Sequence, residues 1–416
     1  SCDVLEEEII SGVTVDTHYG TPDGFVDAVN AAYQQFRDFY GDEDGCEITV
    51  FGTDEYTNGG HGGAQYINKY IAGLNGESNT FWDPWQRFYE GINTCNAVIG
   101  RAAEADIPAD EKAVLVAEVK FLRAHYYFLL VQFWGPVHLT LEETVGVETE
   151  ATRAPESDIY DAIIADLQDA IADRPVTQSE FGRITKPAAQ HGLALVYLTR
   201  AYQPYGQASD FSDAADLAVE VIGSGHELLD DYQEIYNIAD ANGHLLHTNE
   251  QNNEILWSIQ YDIDPLKNDE GNRTHVYFRA WYETFNDGLD RALGHGYGRP
   301  WIRFRPTHYL LNSFRPLDVD SRYEKSFATV WLYNTDRNIP AGASVGDTAI
   351  VITDKTAAEI DTAAMYARLP GVKIFTWNIA EIDEDWCLWR TDVSVNSPNI
   401  NIFPVPWKID DNLRSS

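Results

Sequence analysis

The chain has 416 residues, of which 44% are hydrophobic and 12% aromatic, so it contains enough apolar material for a large folded core. Its 66 acidic and 29 basic side chains give a formal net charge of −37. That charge argues against nucleic acid as a partner and against electrostatic adsorption to an anionic membrane. The sequence also has no run of 18 or more apolar residues that could span a bilayer.

Arginine is more than twice as frequent as lysine among the basic residues, with 20 Arg and only 9 Lys. One interpretation is an ordinary acidic protein. The other is adaptation to high salt, because screening shortens the Debye length to about 3 Å at 1 M and lets many carboxylates hydrate the surface without strong repulsion. Both interpretations stay open at this point, and low stability in dilute buffer would favour the second.

The N-terminus carries a cysteine, Cys2, ahead of the acidic residues 6–8. No basic and apolar signal segment precedes it, so we expect any signal peptide to have been removed already. A cysteine in this place is where a bacterial lipoprotein carries its lipid, and the alternative is a terminal cysteine without a role. The other cysteines, Cys46, Cys95 and Cys387, are an odd number, so at most one disulfide can form among them.

The first half of the chain is predicted to be helical. Over 112–134, apolar residues recur at steps of 4-3-4-3-4 from Leu115 to Phe133, which is the pattern of an amphipathic helix, and Gly135-Pro136 ends it. Thr185 is the expected N-cap of a helix to about 202. Further helices are predicted over 24–38, 85–103, 157–172 and 211–222. Paired amphipathic helices with short loops are typical of an α-solenoid of the tetratricopeptide kind, although the strict 34-residue pattern is not met.

After about residue 237 the chain becomes irregular and rich in loops. Strands are predicted at Glu254–Tyr261, Thr348–Thr353 and Lys373–Trp377, and a short helix at Thr307–Phe314. Long ordered loops on a regular scaffold usually carry function.

Aromatic residues are concentrated in this second half, interleaved with Asp, Asn and Arg. Sugar rings bind by placing their apolar faces on flat aromatic side chains while polar neighbours take the hydroxyls. The alternative is that these rings fill the core beneath long loops, and we expect two or three of the nine to face solvent. The nine are Trp281, Tyr282, Tyr297, Trp301, Trp331, Tyr333, Trp377, Trp386 and Trp389.

No catalytic signature stands out. The sequence has no GxSxG, HExxH, P-loop or kinase motif, and 66 acids guarantee carboxylate pairs without singling one out for glycoside hydrolysis. The acidic run Asp42-Glu43-Asp44-Gly45 lacks the spaced oxygens of a calcium loop. We expect it to be a solvated loop, with a structural calcium as the alternative, and we expect no cofactor.

Segments over nearly the whole chain, in the expected order, resemble the SusD/RagB family of outer-membrane nutrient-binding lipoproteins. The most recognisable is Ala117–Leu139 (AEVKFLRAHYYFLLVQFWGPVHL), which is similar to an AE.rFLRA.yYF.L...fG.vPL pattern. The others are Ser1–Glu6, Trp85–Val98, Ile159–Ala172, Gly182–Leu198, Ala214–Tyr236, Asn253–Tyr261, Arg305–Phe314 and Gly346–Ala349.

The resemblance implies an all-α-dominated, SusD-like superhelix of tetratricopeptide-like helix pairs with a loop-rich half carrying short β-hairpins. The expected organisation is a lipoprotein leader over 1–20, a helical region over 21–236 and a loop-rich region over 237–416, within one continuous domain. The family's C-terminal helix pair, with its AEA signature, does not follow before Ser416, so we expect that pair to be missing here.

The resemblance further implies a non-catalytic protein, lipidated at Cys2 and tethered to the outer membrane at the cell surface. It would capture an oligosaccharide or similar nutrient for a TonB-dependent transporter of the SusC type. The family's motifs fix no ligand-contacting residue. From aromatic density alone, the predicted ligand-binding residues are Trp281, Tyr282, Tyr297, Trp301, Arg303 and Trp82. The alternatives are a glycoside hydrolase on a helical scaffold and a scaffold or peptide-binding protein.

Overall fold

The computed structural model of the chain describes residues 19–62, 64–236, 251–261, 271–291, 297–381, 388–390, 398–399 and 401–406. Within these ranges no helix combines the length and the apolar character that crossing a membrane requires.

Helices dominate the first half of the chain and short strands appear mainly in the second. The α-helices in chain order are α1 (Pro22–Ala31), α2 (Gln34–Tyr40), α3 (Glu43–Val50), α4 (Gln65–Lys69), α5 (Asn79–Arg101), α6 (Ala109–Trp134), α7 (Glu156–Asp173), α8 (Lys186–Ala201), α9 (Asp210–Ile222), α10 (Thr274–Tyr277), α11 (His308–Asn312), α12 (Arg322–Ser326) and α13 (Thr362–Arg368). The strands are β1 (Tyr56–Asn58), β2 (Phe304–Pro306), β3 (Phe327–Ala328), β4 (Val330–Leu332), β5 (Thr348–Thr353), β6 (Lys373–Thr376), β7 (Leu388–Arg390), β8 (Pro398–Asn399) and β9 (Val405–Pro406). Short 3₁₀ turns lie at Ala102–Glu104, Tyr232–Tyr236, Tyr282–Thr284, Ala357–Glu359 and Ile379–Glu381.

The chain forms two compact units that interleave along the sequence. Unit 1 comprises Ser1–Asp38, Asp83–Leu228 and Asn253–Gln260, and unit 2 comprises Phe39–Trp82, Leu229–Asn252 and Tyr261–Ser416. The division expected from the sequence, into a leader over 1–20 and regions over 21–236 and 237–416, remains a prediction.

Unit 1 is a stack of sequential helices, in which α6 packs on α7, α7 on α8 and α8 on α9. The predicted helices over 112–134, 157–172 and 211–222 are confirmed to within a few residues. The N-cap at Thr185 is also confirmed, because its side chain accepts from the Ala188 amide at 3.4 Å and Pro187 lies in the first turn. The fold is therefore all-α dominated, as the sequence indicated.

One predicted helix, over 24–38, is divided into α1 and α2. At the break, the Tyr33 hydroxyl donates to the Glu118 carboxylate of α6. A tertiary contact of this kind is invisible to helical periodicity, which explains why the pattern predicted one continuous helix.

Buried arginine–carboxylate pairs connect neighbouring elements of unit 1. The Arg123 guanidinium of α6 donates to both Asp166 carboxylate oxygens of α7, each at 2.8 Å. Arg174 donates to Glu118 at 2.9 Å, and Arg200 of α8 donates to both Asp210 oxygens of α9. The two-pronged pairs Arg123–Asp166 and Arg200–Asp210 fix the register between helices, and all three pairs satisfy buried charges.

The prediction of a strand at Glu254–Tyr261 is wrong, because no strand forms over those residues. The apolar side chains there pack on helices instead of pairing in a sheet. The Trp257 ring lies 5.9 Å from Phe36, 5.3 Å from Phe121 and 5.5 Å from His125 between centroids, all edge-on.

Unit 2 contains a five-stranded sheet in the order β4-β5-β6-β7-β8. The predicted strands at Thr348–Thr353 and Lys373–Trp377 are confirmed as β5 and β6, which pair in parallel, whereas the other neighbours are antiparallel. Separately, β1 pairs with β2 and β3 with β9. The helix predicted at Thr307–Phe314 is the shorter α11, capped by the Thr307 side chain. Ile350, Ile352 and Phe375 from the sheet are buried in the core, together with Trp377 directly after β6.

Candidate ligand-binding site

The site in unit 2 is built on the segment 301–303, which leads directly into β2. The Trp301 amide donates to the Val276 carbonyl and the Arg303 amide to the Tyr277 carbonyl, both at 2.8 Å. Between them Ile302 is 1% exposed and has a φ of +47°, a strained conformation for a β-branched residue. Because Ile302 is anchored in the core, its neighbours Trp301 and Arg303 are left half-buried at the surface.

A glycine-rich segment lies against the other side of this backbone. The Gly59 amide donates to the Arg303 carbonyl at 2.8 Å, and a Cβ on Gly59 would lie 2.1 Å from the Ile302 carbonyl oxygen. Only glycine permits this approach, which brings His61 next to Arg303. The Arg303 Nη1 donates to His61 Nδ1 at 2.8 Å. Because a guanidinium has no acceptor, the imidazole accepts through an unprotonated Nδ1.

These residues surround a cavity of about 290 Å³. Its described lining consists of aromatic, basic and small apolar side chains from unit 2: His61, Trp281, Arg291, Arg299, Pro300, Trp301, Ile302 and Arg303. The volume is at the lower end for small-molecule sites.

The tryptophans of the cavity are paired with guanidinium groups. The Arg303 guanidinium lies 5.5 Å from the Trp301 ring centroid, and that of Arg291 lies 6.0 Å from the Trp281 centroid. Both separations suit cation–π attraction. The site therefore combines flat apolar surfaces with groups that donate several hydrogen bonds each.

Two glutamates sit behind these arginines. Glu43 forms an ion pair with Arg303 at 2.6 Å, and Glu283 accepts from Arg291 at 3.2 Å. Burial raises the pKa of Glu43 and of Glu283, while the paired guanidinium lowers the pKa in each case.

Three of the six predicted ligand residues, Trp281, Trp301 and Arg303, line this one cavity. Tyr282 is 1% exposed and donates to the Gly298 carbonyl at 2.7 Å. Tyr297 is half-buried, with its ring 5.4 Å from that of Tyr282 and its hydroxyl accepting from the Leu332 amide at 2.7 Å. These tyrosines hold in place the loop that leads into the cavity wall.

Trp82 lies in the first turn of α5 and is 55% exposed, but it is not part of the described cavity lining. Cys2 lies outside the described residues. Of the nine aromatic residues singled out above, Tyr282, Trp331, Tyr333 and Trp377 are buried, while Trp281, Tyr297 and Trp301 are half-buried. The side chains of Trp386 and Trp389 are outside the described part.

Sequence reasoning missed His61, Arg291 and Arg299. The available signal for His61 was the run Gly59-Gly60-His61-Gly62-Gly63, because glycines in succession permit close backbone approach around one functional side chain. For the arginines there was no comparable local signal.

The acidic run at 42–45 is the beginning of a helix. The Asp42 side chain caps α3 by accepting from the Asp44 amide at 3.2 Å, and Glu43 is engaged by Arg303. Across the described ranges, no group of three or more His, Cys, Asp or Glu side chains is arranged to hold a metal ion.

A second cavity, of about 340 Å³, lies within unit 1 and has a largely apolar wall that includes Phe121, Leu167 and Trp257. Burial lowers the pKa of His125 in this wall to about 4, so its imidazole is neutral at ordinary pH. The described lining of this second cavity contains no arginine, unlike that of the cavity in unit 2.

The helix stack of unit 1 defines an all-α-dominated fold of the tetratricopeptide-like kind. A family model described as "Starch-binding associating with outer membrane" (SusD-like) matches residues 42–198. A SusD-like protein of Bacteroides ovatus is 30% identical over 224 residues, which are 50% of this chain and 39% of that protein. SusD-like protein P2 of Formosa agariphila is 27% identical over 295 residues, covering 67% and 56%.

The solved structure of a laminarin-binding SusD-like protein superposes with a TM-score of 0.61 at 18% identity, over 93% of this chain and 77% of that one. At this identity the likeness concerns the fold. Together these matches show that the chain is similar to SusD-like proteins, in sequence over residues 42–198 and in fold over most of its length. The matched segments make up 39% and 56% of the two curated relatives' own lengths, which is less than two thirds in each case.

Proposed function

We propose that this protein binds oligosaccharides at the cell surface and delivers them to a TonB-dependent transporter of the SusC type. The observation that carries the binding role is the convergence of Trp281, Trp301 and Arg303 on one cavity of unit 2. The similarity to SusD-like proteins supports the same role, because the matching family model is described as starch-binding and one solved structural neighbour is named as binding laminarin.

The chemistry of the site fits a sugar. Indole rings offer apolar surface for the C–H faces of a pyranose, and guanidinium groups donate to its hydroxyls. Tyr282 and Tyr297 stand behind the cavity wall and would act by positioning it. The assignment of Trp82 stays a prediction, since its exposed indole could contact only a ligand that extends beyond the cavity.

In this proposal the protein holds its ligand without transforming it. The lipid on Cys2 would tether it to the outer membrane, and the helix stack of unit 1 would present a surface to the transporter. The hydrolase and scaffold alternatives lead to different results in the experiment below.

The test is calorimetric titration of laminari-, xylogluco- and malto-oligosaccharides into the protein and its variants. Trp281→Ala and Trp301→Ala should each weaken binding by about 1–3 kcal/mol, as expected for loss of an aromatic platform. Tyr309→Ala, which removes an exposed aromatic residue outside the cavity lining, is the matched control and should leave affinity unchanged. Trp82→Ala, measured alongside, shows whether that indole contributes.

Unchanged affinity in both tryptophan variants would reject the site. Product formation that disappears on replacing one carboxylate would instead support a hydrolase, and co-purification of a transporter without any saccharide binding would support a scaffold. Chromatography of the oligosaccharides after incubation distinguishes intact ligand from cleaved product.

A further inference from the structure

The cavity in unit 2 is basic in a strongly acidic protein. The chain has 66 acidic against 29 basic side chains, so an average surface cavity of this protein is expected to have more carboxylates than basic groups in its lining. Yet the described lining contains Arg291, Arg299 and Arg303, and no Asp or Glu. This reversal of sign points to the charge of the ligand.

The three guanidinium groups are not equivalent. Arg303 is engaged by Glu43 at 2.6 Å and Arg291 by Glu283 at 3.2 Å, so each of their charges is largely balanced. Arg299 is exposed, and among the residues that the structure describes no carboxylate lies within ion-pair distance of it. Counting only the residues that the structure describes, Arg299 is therefore the one guanidinium of the cavity lining without a paired carboxylate.

His61, the other polar residue of the described lining, does not offset the positive charge of Arg299. His61 accepts from Arg303 through Nδ1 and is therefore neutral when that hydrogen bond is formed. A guanidinium presents a planar, two-pronged donor surface that matches a carboxylate or a sulfate ester.

We propose that the ligand is an oligosaccharide carrying an anionic group, a carboxylate or a sulfate ester, and that Arg299 pairs with that group while Trp281 and Trp301 contact the sugar rings. This inference rests on the oligosaccharide-binding function proposed above and names its substrate class. The pair would form at an exposed edge of the cavity, so the ligand's charge keeps part of its hydration.

The test compares anionic and neutral probes on the folded chain. The panel is tetragalacturonate, a sulfated carrageenan tetrasaccharide, laminaritetraose and a xyloglucan heptasaccharide, together with the carboxyl-reduced and desulfated forms of the first two. We expect at least one anionic probe to bind at least tenfold more tightly than its neutral counterpart. The carboxylate and sulfate arms identify which anion is recognised.

Variants then locate the effect. Arg299→Gln should lower the affinity for the preferred anionic probe about tenfold. Arg299→Lys should retain most of that affinity because it keeps the charge. Arg368→Gln makes the same change in net charge at an exposed position of α13 and should have no effect.

The outcomes separate the two proposals. Binding of neutral probes with no preference for the anionic ones, or equal affinities of Arg299→Gln and Arg368→Gln, would overturn the anionic assignment while leaving oligosaccharide binding intact. No binding of any probe by protein with native circular dichroism would overturn both.

Discussion

Glu47 is a carboxyl group enclosed within unit 2. It is 4% exposed and accepts a hydrogen bond from the Thr80 hydroxyl at 3.1 Å. Burial and, to a smaller extent, the neighbouring charges of Glu43 and Asp44 together raise its pKa from 4.5 to about 7. The folded state therefore favours the protonated form.

The sign of the pH dependence follows from this shift. Below pH 4.5 Glu47 is protonated in both the folded and the unfolded chain, so its full contribution to stability is present. As the pH rises through about 7, the folded state loses that contribution, which amounts to roughly 3 kcal/mol at 1.4 kcal/mol per pKa unit.

Glu47→Gln should therefore be neutral near pH 4.5 and stabilising at pH 8, because the amide keeps an acceptor for Thr80 and cannot ionise. The measurement is the melting temperature of both proteins over this pH range. Glu55→Gln, the same charge change at an exposed position, controls for net charge. A difference between Glu47→Gln and the parent chain that does not change with pH would contradict the prediction.

At the scale of elements, helix α5 shows how close packing depends on a single missing side chain. A Cβ on Gly91 would lie 2.5 Å from the ring of Tyr126 in α6. That ring cannot easily move, because it is fully buried, stacks on Phe36 at 3.9 Å between centroids and donates to the Ala32 carbonyl at 2.8 Å.

Gly91→Ala should destabilise unit 1 by about 1–3 kcal/mol through overpacking, despite the better helix propensity of alanine. Gly100→Ala in the same helix meets no atom within 4 Å and should be neutral or stabilise by up to about 1 kcal/mol. Urea denaturation of both variants gives the two free energies of unfolding. Similar values for the two would show that α5 and α6 are less tightly packed than the structure indicates.

At the scale of the whole molecule, the net charge of −37 opposes compaction by self-repulsion. The ion pairs described above are local and engage only some of the carboxylates. The remaining repulsion acts over distances longer than the Debye length at 1 M salt, which is about 3 Å.

The melting temperature should therefore rise when KCl is increased from 0.1 to 1 M at pH 8, as the high-salt interpretation of the sequence also predicts. At pH 4.4, close to the isoelectric point, the same increase should have much less effect because most of the net charge is lost. Thermal denaturation at the two pH values measures both slopes. Equal slopes would mean that salt acts through something other than net charge.

The sequence predicted most of unit 1 because its signals are local. The 4-3-4-3-4 spacing in α6 and the Thr185 cap involve residues within a few positions of one another, and helical hydrogen bonds have the same short range. Where tertiary contacts override local pattern, as at Tyr33 between α1 and α2 and over Glu254–Tyr261, the predictions were incomplete or wrong.

For the candidate site, the sequence indicated the aromatic and arginine chemistry but not the partners. Trp301 and Tyr282 were both predicted as ligand residues from aromatic density, yet one lines the cavity and the other is buried. That difference arises because Ile302 is anchored in the core and Tyr282 reaches the Gly298 carbonyl. Neither contact has a periodicity that a sequence pattern could reveal.

By itself, the sequence determined the helices of unit 1, the resemblance to the SusD/RagB family and the surplus of negative charge, since these depend on composition and on residues near one another in the chain. Tertiary structure decided which tryptophans reach a cavity and which cations surround them. It brings His61 to Arg303 across 242 residues, and it leaves Arg299 without an acidic partner among the described residues. The physical reason is that burial and charge balance at one point in space are summed over segments far apart in the chain, and only the folded backbone brings those segments together.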